Sequence, residues 1–163
     1  MTVEKDIDLA RDALKGHIRC ASCRNGIITL SEERGVRPMV TWLQNDPDCL
    51  KGASVADKVV GRASAMLMIY GGVSRVYTNL ISIHALELLS EYNIPCTYIN
   101  TCDAVANRRG DGICPMERAV ASISNPAEAF EKMRSNVKST ISEIRTAADQ
   151  VATGAKNISD ASI

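Results

Sequence analysis

The spacing of apolar positions changes several times along the chain, and each change marks a predicted element. Over residues 4–15, Ile7, Leu9, Ala10 and Leu14 fall at helical spacing and predict a short amphipathic helix. His17–Cys23 and Ile27–Leu30 flank Arg24-Asn25-Gly26. An Asn-Gly pair between two such runs predicts a tight hairpin, because both residues tolerate positive φ. Pro38 suits the first turn of a helix anchored by Val40, Trp42 and Leu43 and stopped by Asp46-Pro47-Asp48. Val55, Val59, Ala63, Met66 and Tyr70 recur at helical spacing, with Ser54 as cap and Asp57 at the third helical position, as in a capping box. These signals predict a helix from Ser54 to about Ile69, ended by Gly71-Gly72. Val73–Thr78 reads as a strand, and Ser82–Glu91 as a helix with Ile83, Leu86 and Leu89 inward and Asn93 closing it. Ile94–Asn100 reads as a strand in which Cys96, Tyr98 and Asn100 alternate onto one side. Residues 101–113 form a polar loop. Cys114-Pro115-Met116-Glu117 and Asn125-Pro126-Ala127-Glu128 each open a helix by the same order of cap, proline and acid.

The order hairpin, helix, strand, helix, strand implies an α/β domain, a three-layer α-β-α sandwich on a small mixed sheet. Strands joined through helices should run parallel by right-handed crossovers. From Val137 the pattern narrows. Val137, Ile141, Ile144, Ala148, Val151, Ala155 and Ile158 alternate four-three, a seam that predicts one long helix pairing with another rather than covering a broad core. Gly154 weakens that helix by about 1 kcal/mol. The expected organisation is therefore a domain over residues 1–134 and a C-terminal amphipathic helix or flexible tail over 135–163, with a homodimer formed through 137–158.

Composition narrows the partners. The 19 basic and 19 acidic residues cancel, so no basic field points to nucleic acid, and aromatic residues at 4% leave few platforms for base stacking. The apolar run Ala63–Tyr70 falls far short of the roughly 20 residues of a membrane span. The charged start, Met1-Thr2-Val3-Glu4-Lys5-Asp6, lacks a signal-peptide core. A cytoplasmic protein is expected, its 6 cysteines mostly reduced.

Two stretches carry resemblances. Arg34-Gly35-Val36-Arg37-Pro38, the run from Leu50-Lys51-Gly52 through Gly61-Arg62-Ala63, Gly71-Gly72-Val73, and Asn107-Arg108 through Gly112-Ile113-Cys114-Pro115-Met116-Glu117 resemble an uncharacterised bacterial and archaeal family with a cytidine-deaminase-like fold. The resemblance spans about residues 34–120 and implies the fold more than any activity. A working deaminase needs His or Cys plus Glu at one helix start and Pro-Cys-x-x-Cys at the next, to hold a zinc ion that activates water. By element order those starts fall near Ser54–Asp57 and Leu80–Ser82, and neither offers His or Cys. His84-Ala85-Leu86-Glu87 has one residue too many for the motif, and His84, Glu87 and Glu91 share a solvated helix face. No metal and no cofactor is therefore expected. The tail from Ile144 to Ser162 is similar to the helix leading into the signalling hairpin of methyl-accepting chemotaxis receptors, which implies sensory input to dimeric coiled coils.

Three groups remain as candidate chemistry. Cys20-Ala21-Ser22-Cys23 reads as packed or exposed thiols, with a redox pair or half a metal site as the alternative. Asp57 and Lys58, after a loop of small residues, stand where an anion or nucleotide phosphate meets a helix start. Cys114 precedes a helix-opening proline, where the helix dipole favours a thiolate, with Arg108 and Arg109 close in sequence and Glu117 one turn on. The leading expectation is a non-catalytic domain binding a small, nucleotide-like molecule through Ser54, Asp57, Lys58, Asn107, Arg108, Cys114 and Glu117. Asn107, Arg108 and Asp111 would close over the ligand. The alternatives are an enzyme with Cys114 as nucleophile, assisted by Arg108 or Asp57, and a purely structural dimerisation module.

Overall fold

The computed structural model describes residues 2–138. Its elements are α1 (Val3–Asp12), β1 (Cys20–Arg24), β2 (Ile27–Ser31), α2 (Arg37–Asn45), β3 (Ser54–Val60), α3 (Arg62–Gly71), β4 (Arg75–Ser82), α4 (Ile83–Glu91), β5 (Cys96–Cys102) and α5 (Pro115–Val120), followed by a helical segment at 126–138. The strands form one five-stranded sheet in the order β2-β1-β3-β4-β5. β1 is antiparallel to both of its neighbours, while β3, β4 and β5 run parallel. Helices cover both faces, so the fold is α/β with three layers, as expected. Among the described residues no helix is long and apolar enough to cross a membrane.

The hairpin turns where the Asn-Gly pair predicts it, with φ of 53° at Asn25 and 78° at Gly26. The buried Asp6 of α1 holds that turn. Its carboxylate accepts from the amides of Asn25 and Gly26, each at 2.9 Å, and from the Cys23 thiol at 3.4 Å. Burial alone would raise its pKa, but these donors outweigh it and hold Asp6 below the usual carboxylate value. Pro38 lies in the first turn of α2, and Ser82 caps α4 by accepting from the Ala85 amide at 3.2 Å.

One prediction is overturned, and it matters for the site. Ser54–Val60 is the central strand β3, and the helix begins only at Arg62. Ser54 is therefore no helix cap, Asp57 no third helical position, and Lys58 lies at no helix start. A strand between two others is buried on both faces, so it loses the alternation that would betray it. What remained in view was an accidental helical spacing. β-branched Val55, Val59 and Val60, with Gly61 behind them, are the signals that favour a strand.

Alternate residues of β1 and β3 divide the interior. Cys20 and Val55 join the main core under α2, α3 and α4, while Ala21, Cys23 and Ala56 meet Ala10 in a smaller core under α1. The segment 126–138 packs on the main core through Ala129, Phe130, Met133 and Val137, with Phe130 stacked on Tyr70 at 4.7 Å between ring centres. Val137, the first position of the expected seam, is thus buried in the domain's own core, and the helix passes unbroken through 134–135. The rest of the seam and the chemoreceptor-like stretch lie outside the described residues.

Candidate functional site

β3 and β4 deliver the chain to α3 and α4 at the same edge of the sheet, so the two helix starts are neighbours. In open α/β sheets ligands gather outside these carboxyl ends of the strands. Gly61, the cap position of α3, has no side chain with which to satisfy the helix's first amides. Glu117 of α5 does so from a distance in sequence. Its Oε2 accepts from Arg62 N at 2.9 Å and its Oε1 from Ala63 N at 3.0 Å. Burial raises the Glu117 pKa, against the opposing pull of the Ala63 and Arg62 amides, the Arg62 charge and His84.

Arg62 fastens the same segment in the other direction. Its guanidinium donates from Nη2 to the Ile123 carbonyl at 2.8 Å and from Nε to the Val120 carbonyl at 3.5 Å. Val105 closes the last side: a Cβ placed on Gly61 would lie 2.8 Å from Val105 Cγ2 and would overlap the Glu117 carboxylate. The start of α3 is therefore covered by the chain's own residues. Beside it runs a groove of about 360 Å³ lined by Arg62, His84, Glu87, Glu91, Tyr92 and Ser124. His84 and Glu87 approach to 3.9 Å with their side chains well exposed, in keeping with a solvated face.

The expected site residues divide. Ser54 donates from Oγ to the Val3 carbonyl under α1 at 3.3 Å, and Lys58 Nζ donates to the Gly16 carbonyl at 3.0 Å. Asp57 is buried in β3 beside its register partners Cys20 and Thr78. The Thr78 hydroxyl is spent on Leu80, donating to its carbonyl and accepting from its amide. Asp57 Oδ2 has no hydrogen-bond partner among the described residues, and Oδ1 accepts a long 3.4 Å bond from Val59 N. Burial pushes its pKa up to about 7, against the Val59 and Lys58 amides and the Cys20 thiol. Asp57 is thus an interior carboxyl rather than a residue at a helix start.

Asn107 folds its own loop, donating from Nδ2 to Asp111 at 2.9 Å and accepting from the Asp111 amide at 3.3 Å. Arg108 is exposed on that loop. Cys114 is half-buried at the cap of α5 and makes no side-chain cap bond. Glu117, expected at the ligand site, serves the first amides of α3. The structure joins it to Arg62 and Ala63, not to Ser54, Asp57 or Lys58. Nothing in the local sequence of Arg62 reveals bonds spanning 55 and 58 residues, nor does that of Val105 reveal its place against Gly61.

Cys20 and Cys23, three apart on β1, point to opposite faces of the sheet into different cores. They share neither a metal nor a disulfide in this fold. Burial, reinforced by Asp57, pushes the Cys20 thiol well up, and burial with Asp6 pushes up Cys23. The zinc set of a deaminase does not fit. Gly61, Arg62 and Ala63 stand at one helix start and Ser82, Ile83 and His84 at the next, and the Glu117 carboxylate takes the first amides of α3. Among the described residues no three His, Cys, Asp or Glu side chains converge at metal-binding range.

Residues 11–137 match the family described as TM1506, domain of unknown function (DUF1893). Among solved structures the chain is similar to a crystal structure of a DUF1893 family protein from Thermotoga maritima. The two are 27% identical with a TM-score of 0.67, over 73% of this chain and 80% of the other. No curated protein matches.

Proposed function

We propose that this chain, which belongs to the DUF1893 family, is a non-catalytic small-molecule-binding or sensory domain with a cytidine-deaminase-like plan. The observation that carries this reading is the Glu117 carboxylate seated on the Arg62 and Ala63 amides. In a zinc deaminase the equivalent helix start faces the substrate with a metal ligand and a proton-carrying glutamate. Here a carboxylate from α5 takes up the helix's own anion-binding capacity, which leaves no seat for an activated water. The deaminase-like plan is supported by two helix starts standing together at the carboxyl ends of adjacent parallel strands.

The groove beside α4 is the better place for a ligand. Tyr92 offers an exposed ring for stacking, and Glu87 and Glu91 accept from hydroxyl or amino groups. The same carboxylates oppose a phosphate, so a nucleoside suits the groove better than its nucleotide. A thermal-shift screen tests this. A nucleoside should raise the melting point of the full chain more than the matching nucleotide does, and Glu87→Gln should reduce the gain, because a ligand that binds only the folded state stabilises it. A flat response to every nucleoside and nucleotide overturns the reading and favours a structural module.

The sensory half of the proposal runs through the C-terminal segment. The helix at 126–138 is rooted in the core by Phe130 and Met133, so it is rigidly tied to α3. Pairing through the seam beyond the buried Val137 would hand occupancy to a second copy and on to chemoreceptor-type signalling. Lysine at both Ile141 and Ile144 should convert a dimer to a monomer by light scattering. A native protein already monomeric at high concentration ends this half of the reading.

A further inference from the structure

The opposite face of the sheet holds a second recess. Between α1 and the β4–β5 half of the sheet lies a cavity of about 200 Å³. From above it receives Glu4, Asp8 and Arg11, which lie on one side of α1, and from the sheet Arg75, Tyr77 and Thr97. Arg75 and Tyr77 are two apart on β4 and so share a face, and Thr97 is the register partner of Tyr77. The lining thus carries both signs of charge within one small space.

The two arginines are not equivalent. Arg11 is engaged, at 3.1 Å from Asp8 and 3.2 Å from Asp12. Arg75 is not: its Nε is buried with no hydrogen-bond partner among the described residues. A buried guanidinium N–H without an acceptor is costly, and the cost is relieved when an acceptor arrives. Nε and a neighbouring Nη form a planar fork that matches a carboxylate with two parallel bonds. Asp8 and Arg11 answer each other, so a simple anion would meet Glu4 across the cavity and a simple cation would meet Arg75. A molecule bearing one charge of each sign satisfies both walls. The volume falls below the roughly 300–1,000 Å³ of sites for drug-sized ligands, so the molecule is small.

We propose that this cavity binds a free α-amino acid as its zwitterion. The carboxylate takes the Arg75 fork, with the Thr97 hydroxyl beside it. The ammonium sits beneath Glu4 and Asp8, which are one helical turn apart. A short side chain lies over Ile7 and the Tyr77 ring. The site goes beyond the α4 groove and is independent of it, so either can fail alone.

Titration calorimetry of the full chain against the standard L-amino acids tests this. At least one small amino acid should bind, while its N-acetyl derivative and its amide, each lacking one charge, should bind at least about tenfold more weakly. Arg75→Gln should weaken binding by a similar factor without lowering the melting point of the unliganded protein. Asp8→Asn, on an exposed side chain, gives a second variant whose folding is not in question. Glu87→Gln, in the other groove, should leave the affinity unchanged. No binding by any amino acid at millimolar concentration overturns the proposal. So does equal binding of the N-acetyl or amide form, or an affinity indifferent to both Arg75→Gln and Asp8→Asn.

Discussion

Asp57→Asn stabilises the protein at about pH 8 and changes it little at about pH 4, the reverse of what removing a paired carboxylate does. Asp57 sits in the middle of the sheet with one oxygen unpartnered, so its charged form is the disfavoured one, and burial lifts its pKa from 3.8 to about 7. The sign follows from proton counting. Between these two pKa values the folded chain holds a proton that the unfolded chain has released, so stability falls as pH rises through this window and levels off above it. The rise of about three units corresponds to roughly 4 kcal/mol lost across the window, at about 1.4 kcal/mol per unit. Asparagine keeps the shape and has no charge to form, so it escapes the loss. Urea unfolding of both proteins across this range provides the check, read as the difference between them so that other carboxylates such as Asp6 cancel. A difference that stays flat with pH would mean that Asp57 is ionised and accommodated throughout.

Glu117→Ala should cost about 3 kcal/mol, because it leaves the Arg62 and Ala63 amides without acceptors. Glutamine restores one acceptor and should recover part of this. Hydrogen exchange at the amides of residues 62 and 63 should accelerate by more than at the middle of α3, since the loss is local to the helix start. Gly61→Ala tests the same contact from the other side. Its new methyl would press on the Glu117 carboxylate and Val105, a clash worth about 1–3 kcal/mol. In the double variant the two costs should fall short of their sum, because removing Glu117 vacates the space the methyl needs. A cost for Glu117→Ala below about 0.5 kcal/mol, typical of an ordinary surface position, would show that water serves those amides equally well.

The elements that announced themselves in the sequence did so through local chemistry. Asn25-Gly26 had to turn because of its backbone preference, Pro38 had to sit in a first helical turn, and Ser82 had to cap. None of these needs a partner far away in the chain. β3 was illegible for the opposite reason. As a central strand it is defined by its neighbours Cys20, Val76 and Thr78, and within its own residues Ser54 and Asp57 imitate a helix cap. That misreading moved the expected site by one element and assigned Asp57 and Lys58 to a helix start they never reach. Glu117 was expected at a ligand site, whereas the helix start on which it sits is set by tertiary folding. Arg62, Val105 and the Arg75 cavity belong to the same class, being products of which strands and helices become neighbours.

The placement of Cys20 and Cys23 on opposite sides of one strand makes them natural reporters. Both thiols are sealed in, at 1% and 0% exposure, while Cys49, Cys96, Cys102 and Cys114 are partly open. An alkylating reagent should therefore mark the second group from the native state. It reaches the first pair only when the sheet itself comes apart, so mass tags at those positions count whole-molecule opening events directly.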